Sequence, residues 1–428
     1  MKIDIEVISR DMIKPSTPTP HHFRNYQFSF LDQIAPPDAF LLIFFFNLDC
    51  KLSNNDISNH LKTSLSKVLT HYYPLAGRVN DNYVDCNDEG VLFLEVQVSG
   101  QLSQILQEPF LEVNRFAPVP DGVSNLALAI QVNFFKCGNV AVCARMSHRI
   151  ADGLSFLTFI KNWAATACHP ETNVICPEFV AAKVFPPKDD GGFDLLMGGT
   201  EKNIVLKRFE FRNSVIAALK ERYARKTTAE NHPIRPTRVE ALTTLIWSRF
   251  SASTQTKIGL DKPLLLCYAI NLRKRMNPPL PDNSFGNLSP EVGTISLQDT
   301  REEDCYSLVN KLRESVSRID KDYVKKLQDG TYILGDLKKR MAQGVNKGEM
   351  VEFYFSSLCW YPVYETDFGW GRPVSVALGG LAYKNLVLFM DTKSGDGIEA
   401  WIHLKEEDMA KFVTDRELLA YVSAISSM

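Results

Sequence analysis

The chain has 428 residues, 45% of them hydrophobic and 23% charged, and a formal net charge of −2. That length exceeds one ordinary core and predicts two domains. The near-neutral balance provides no global drive toward nucleic acid or an anionic membrane. The longest apolar run, Ala39 to Phe46, is too short to span a bilayer.

The residues after Met1 carry acids and no signal-like apolar stretch, so a cytoplasmic location is expected. Nine scattered cysteines with no Cys-x-x-Cys pair fit reduced thiols. The histidines do not cluster apart from His21-His22, and no metal site is expected.

In chain order, Asn54 to Tyr72 reads as a helix, with Ile57, Leu61, Leu65, Val68 and Leu69 on one side. Leu126 to Phe134 alternates as a strand, and Lys136-Cys137-Gly138-Asn139 turns it into a second strand ending at His148. Gly153 to Thr166 continues as a helix with Leu157, Ile160 and Trp163 toward the core. A Pro- and Gly-rich stretch from Phe185 to Asn203 divides the chain into residues 1–184 and 204–428. Beyond it, Ile204 to Phe211 is a strand. Thr237 to Glu240 has capping-box spacing ahead of a helix carrying Val239, Leu242, Ile246 and Phe250. Leu264 to Ile270 reads as a buried strand, Leu308 to Ile319 as a helix, and Gly395-Asp396-Gly397 as the turn before a strand from Ile398 to Leu404. The pattern is mixed α/β in two lobes, without regular βαβ alternation.

His148 extends the apolar face of Val140, Val142, Ala144 and Met146, and Asp152-Gly153 follows at the helix start. An imidazole at a core edge is both positioned and reachable, and its pKa suits proton transfer near neutrality. No Gly-x-Ser-x-Gly elbow, P-loop or strand-following Gly-x-Gly-x-x-Gly occurs. A histidine without an attached nucleophile suggests a general base for a nucleophile that the substrate brings.

A second distinctive segment, Asp367-Phe368-Gly369-Trp370-Gly371, lies near the end of the chain. The pairing of His148-x-x-x-Asp152-Gly153 with this pentapeptide resembles the plant BAHD acyltransferases. Tyr72 to Arg78, Asn271 to Pro281 and Ser284-Phe285-Gly286-Asn287 match further segments of that family in order. The stretch from Met390 to Trp401 is similar to its vinorine synthase-like branch of alkaloid acetyltransferases. The resemblance covers essentially the whole chain.

It implies two chloramphenicol-acetyltransferase-like lobes of mixed sheet and helices, joined by a long crossover loop at 185–203, with a channel through their interface. Acetyl-CoA or another acyl-CoA would enter one mouth and a small-molecule alcohol the other, meeting at His148 in a monomeric enzyme without metal. It also implies that Asp152 points away from the channel and pairs with Arg273, or failing it Arg275, and that Asp367, Gly369, Trp370 and Gly371 are structural. Coenzyme A phosphates need cations and N–H donors. Thr237 and Arg238 at the capped helix start are favoured, with Ser284 and Asn287 as further candidates. Ser356 and Ser357 are candidate oxyanion donors.

Where many relatives read Ser-Trp-x-Arg, this chain has Ser357-Leu358-Cys359-Trp360. Loss of that arginine disfavours an anionic acceptor, and Leu358 and Trp360 are expected to line a pocket for a hydrophobic alcohol such as an alkaloid or terpenoid. Two other readings compete. A condensation-type enzyme with a carrier-protein donor would typically show a doubled histidine, whereas Ser147 precedes His148 here. A divergent, non-catalytic member would bind a ligand or partner instead.

Overall fold

The structure is a computed structural model that describes residues 3–48, 52–107, 113–119, 125–171, 174–188, 203–224, 235–258, 264–297, 305–329, 351–379 and 383–423. Among these, the strands in chain order are β1 (Ile5–Ile13), β2 (Asn25–Gln27), β3 (Ala39–Phe46), β4 (Arg78–Val79), β5 (Tyr83–Asp85), β6 (Val91–Val98), β7 (Leu128–Phe135) and β8 (Val140–Ser147), then β9 (Ile204–Arg212), β10 (Leu264–Ala269), β11 (Glu291–Leu297), β12 (Val351–Ser357), β13 (Ser375–Leu378), β14 (Leu386–Asp391) and β15 (Gly397–Lys405).

They form two six-stranded sheets, β1-β6-β7-β8-β3-β13 and β11-β10-β12-β14-β15-β9, and a small sheet β2-β5-β4. Both large sheets are mixed: β6 runs parallel to β7, and β12 runs parallel to β10 and β14, while the remaining neighbours are antiparallel. The β7–β8 hairpin turns through Gly138 at φ +84°, as the Lys136–Asn139 turn predicts.

β14 shows why its sequence is a continuous apolar run. Val387 and Phe389 join the core of the second lobe, whereas Leu386, Leu388 and Met390 face the cluster that fills the first. A strand buried on both faces has no polar side to alternate with. The second sheet therefore packs one face against its own helices and the other toward the first lobe.

The expected helices form as Asn54–Leu69, Gly153–Cys168, Arg238–Ile258 and Cys305–Ser317. Two features differ from a simple division at 185–203. β13 comes from the second half of the chain yet pairs with β3 in the first sheet, Val376 opposite Phe44. The expected crossover falls largely on 189–202, outside the described residues, but its beginning is anchored. Phe185 is buried beside Phe30, Leu272 and Leu288, and its carbonyl accepts from Phe30 N–H at 2.9 Å. Lys188 and Gln33 exchange two hydrogen bonds, at 2.9 and 3.1 Å.

Candidate active site

His148 follows the last residue of β8. Alternation along a strand puts Met146 and His148 on the face shared with Phe40, the partner of Met146 in β3. The Phe40 ring lies 4.0 Å from the imidazole, and Phe156 stacks behind it at 6.3 Å. The main chain of His148 is held on both sides: its N–H donates to the Asp38 carbonyl at 2.9 Å, and its carbonyl accepts from Asn287 Nδ2 at 2.7 Å. Burial lowers the imidazole pKa from its ordinary 6.5, outweighing the opposite pull of Asp152 and Asn287. The lowered pKa favours the uncharged ring at neutral pH.

Asp152 does not serve that ring. It caps the Gly153–Cys168 helix, its Oδ1 accepting from Ser155 N–H at 2.9 Å. Arg273 clamps both oxygens, Nη1 on Oδ2 at 2.8 Å and Nη2 on Oδ1 at 3.1 Å. Leu288 N–H and the Ser289 hydroxyl complete the shell at 3.1 and 2.8 Å. Burial alone would raise this carboxyl, but the charge and hydrogen bonds of Arg273 outweigh it and hold the pKa below 3.8. The pair is sealed, Asp152 being 2% exposed and Arg273 0%. Of the two arginines weighed from sequence, the structure selects Arg273. Arg275 instead donates to the carbonyls of Val316 and Ile319.

Gly153 has its own reason in this motif. A Cβ there would come within 2.9 Å of Leu358 Cδ2, so the glycine lets Leu358 pack on the helix start. Leu358 thus lies against the start of the helix that follows His148.

Trp360 does not. It takes φ +73°, a conformation rare outside glycine, and is 82% exposed. Its indole lies over the Arg238 guanidinium at 4.5 Å. Asp391 ties the two together, Oδ2 accepting from Trp360 N–H at 2.7 Å and Oδ1 pairing with Arg238 at 3.0 Å. Thr237 closes the predicted capping box: Glu240 N–H donates to its hydroxyl at 3.2 Å, and its own N–H donates to the Glu240 carboxylate at 2.6 Å.

Ser284 and Asn287, read from sequence as coenzyme A candidates, lie around the Asp152–Arg273 pair instead. The Ser284 carbonyl accepts from Arg273 Nε at 3.0 Å and Nη2 at 2.9 Å. The Asn287 side chain is committed to Asp32 and to the His148 carbonyl. The family-like order of these residues showed that the segment belongs near the site but not which partner it meets. Ser357, a candidate oxyanion donor, accepts from Cys359 N–H at 3.2 Å.

Asp367 Oδ1 collects the N–H groups of Gly369, Trp370 and Gly371 at 2.8, 3.1 and 2.9 Å, and both glycines take positive φ near 105°. Phe368 is buried edge-on to Trp163 at 4.8 Å, and its carbonyl meets His60 Nε2 at 2.8 Å. This loop sits by the far end of the Gly153–Cys168 helix, beside Cys168. A helix of that length separates it from His148 by about 24 Å.

Other arginines of the second lobe are already paired: Arg208 is buried against Glu399 at 3.2 Å, Arg222 pairs with Glu417 and Arg235 with Glu221. Arg225 and Lys226 lie outside the described residues. A cleft of about 590 Å³ lined by Asp38, Asp81, Arg145, Ser147 and Arg149 opens on the opposite face of β8 from His148. His148 is not among its lining residues. Among the described residues, no helix is long and apolar enough to cross a membrane.

A site built on one half-buried imidazole at a strand end, braced by a carboxylate–arginine pair that spans the two lobes, occurs here in a two-sheet α/β frame. A model of the Transferase family matches residues 3–419, and the chain belongs to that family, the BAHD acyltransferases. It is 37% identical to stemmadenine O-acetyltransferase of Catharanthus roseus over 97% of each chain. It is 36% identical to vinorine synthase of Rauvolfia serpentina over 99% of each. The crystal structure of vinorine synthase superposes with a TM-score of 0.84, covering 99% of this chain and 100% of that one. A complex of F. sporotrichioides TRI101 with coenzyme A and T-2 shares the fold at 16% identity and a TM-score of 0.73, covering 94% and 100% of the two chains.

Proposed function

We propose that this chain transfers an acyl group, acetyl first among them, from coenzyme A to a hydroxyl of a hydrophobic plant specialised metabolite such as an alkaloid or terpenoid. The observation that carries the reading is the state of His148. Its main chain is held by Asp38 and Asn287, desolvation lowers the imidazole pKa, and the nearby carboxylate is spent on Arg273, Ser155, Leu288 and Ser289. Full-length relatives named as O-acetyltransferases of stemmadenine and of salutaridinol support the reaction class.

The alcohol O–H gives its proton to the free nitrogen of His148 as its oxygen attacks the thioester carbonyl. The tetrahedral intermediate collapses, the C–S bond breaks, and the imidazolium returns the proton to the departing sulfur. The thioester is already activated, so no acyl-enzyme is required. General-base assistance of this kind is worth about 10²–10⁴-fold.

Coenzyme A supplies the activated acyl group, and the chain's own cations must hold its phosphates. Arg238, paired with Asp391, brings a guanidinium to the N-terminus of a long helix, a pairing that favours phosphate. The Thr237 hydroxyl shapes that start through its capping bond. The open face of Trp360 beside Arg238 provides a flat surface for a base to stack on, so we assign Trp360 to the coenzyme side and Leu358 to the acceptor side. With Leu358 on the acceptor side, packed at Gly153, an apolar wall favours a neutral acceptor over a carboxylate such as shikimate. Donor and acceptor approach His148 from opposite mouths of a channel between the lobes.

The test is a mass-spectrometric screen of acyl-CoAs against neutral polycyclic alcohols and shikimate, with His148→Ala as the blank. The reading expects acetyl transfer to a polycyclic alcohol. No thiol release with any acceptor, despite coenzyme A binding, would overturn it, and equal rates with shikimate would overturn the acceptor assignment.

A further inference from the structure

Asp32 is a fully buried carboxylate that the proposed chemistry does not use. It lies on the short helix Phe30–Gln33, capped by Ser29. A carboxylate has about four acceptor directions, and all four are taken. Oδ2 accepts from Ser29 N–H at 2.8 Å and from the Ser29 hydroxyl at 2.6 Å. Oδ1 accepts from the main-chain N–H and the Nδ2 of Asn287, both at 2.9 Å. Among the described residues no ion pair reaches it, and burial pushes its pKa up to about 6. A helix of four residues needs only the Ser29 bonds. The other oxygen is spent on a residue 255 positions away, in the other lobe.

The Asn287 amide has two N–H donors. One goes to Asp32 and the other to the His148 carbonyl at 2.7 Å. We propose that Asp32 is a positioning residue for His148, acting through Asn287. By holding both the main chain and the amide of Asn287, Asp32 sets the plane from which the second N–H meets the His148 carbonyl. The Asp38 carbonyl holds the His148 N–H. The peptide groups on both sides of the histidine are thus tied, and the imidazole is aimed over Phe40. The Asp152–Arg273 pair fixes the helix that follows, whereas this relay fixes the histidine itself.

The inference rests on His148 as the base, and its test separates the two. Asn287→Ala, Asp32→Asn and the exchanged pair Asp32→Asn/Asn287→Asp are compared with wild type using acetyl-CoA and an accepted alcohol, at matched folded fraction. Small misplacement of a reacting group costs up to about 100-fold. Each single variant is therefore expected to lose about 10- to 100-fold in kcat, with the KM of both substrates within about twofold. The losses should not add when Asp32→Asn and Asn287→Ala are combined. The exchanged pair restores an amide–carboxylate contact between lobes but sets a carboxylate against the His148 carbonyl, so it should stay slow. Wild-type kcat with only a lower Tm in the single variants, or recovery of kcat in the exchanged pair, would overturn the proposal. If Asp32→Asn fails to fold, Asn287→Ala decides alone, because it leaves Asp32 its Ser29 bonds and the N–H of residue 287. Normal turnover by His148→Ala would instead refute the base assignment.

Discussion

Asp152 receives five hydrogen bonds, two of them from one arginine, and that saturation decides what its loss does. Asp152→Ala strands a fully buried guanidinium, and breaking one side of such a pair costs about 3–5 kcal/mol. Thermal melts and turnover should therefore fall together, with Asp152→Asn, which keeps the cap, falling less. Loss of turnover in Asp152→Asn at unchanged Tm would instead indicate a His–Asp dyad. The lowered pKa of His148 makes a second prediction. The acid limb of kcat/KM, which reports the free enzyme, should lie below pH 6.5. The linkage has the same sense. Below 6.5 the unfolded chain binds a proton that the folded one resists, so the contribution of His148 to stability is full above 6.5 and declines as pH falls through its folded pKa. A pH–rate profile with its acid limb above 6.5 would contradict the lowered pKa of His148. His148, Asp152 and the Thr237–Glu240 box were legible in sequence because each signal is local. Asp32 and its contact with Asn287 were not, since nothing in a sequence marks a contact across 255 positions. Trp360 was misjudged because its positive φ, which turns the indole outward, leaves no trace in the residue order.

The Asp367–Gly371 loop is tightly bonded and packed yet lies at the far end of the Gly153–Cys168 helix from His148. One carboxylate oxygen gathers three N–H groups, two glycines supply the turn, and Phe368 fills a cavity between Trp163 and Phe46. Phe368→Ala should destabilise by about 3–5 kcal/mol, as large-to-small core changes of phenylalanine do. Its folded fraction should retain near wild-type kcat, because the loop lies a helix length from His148. Thermal denaturation beside active-fraction kinetics checks both halves. Amphipathic helices and the β7–β8 hairpin followed from period and turn chemistry. The pairing of β13 with β3 did not, because a four-residue apolar strand carries no mark of which sheet it joins.

At the scale of the molecule, the site exists only where the lobes meet. The first lobe provides His148, Asp152, Ser155 and Asp32, and the second provides Arg273 and the segment from Ser284 to Ser289. Length and the Pro/Gly-rich stretch predicted two lobes, and the resemblance supplied their relation. The hydrogen bonds between them show that docking the lobes also shapes the histidine turn. Free-thiol release from acetyl-CoA, with an alcohol that the wild type accepts, tests the central claim when wild type and His148→Ala of equal Tm are compared. The account predicts a loss of alcohol-dependent release of about 10²–10⁴-fold in the variant. Release at the wild-type rate would contradict it.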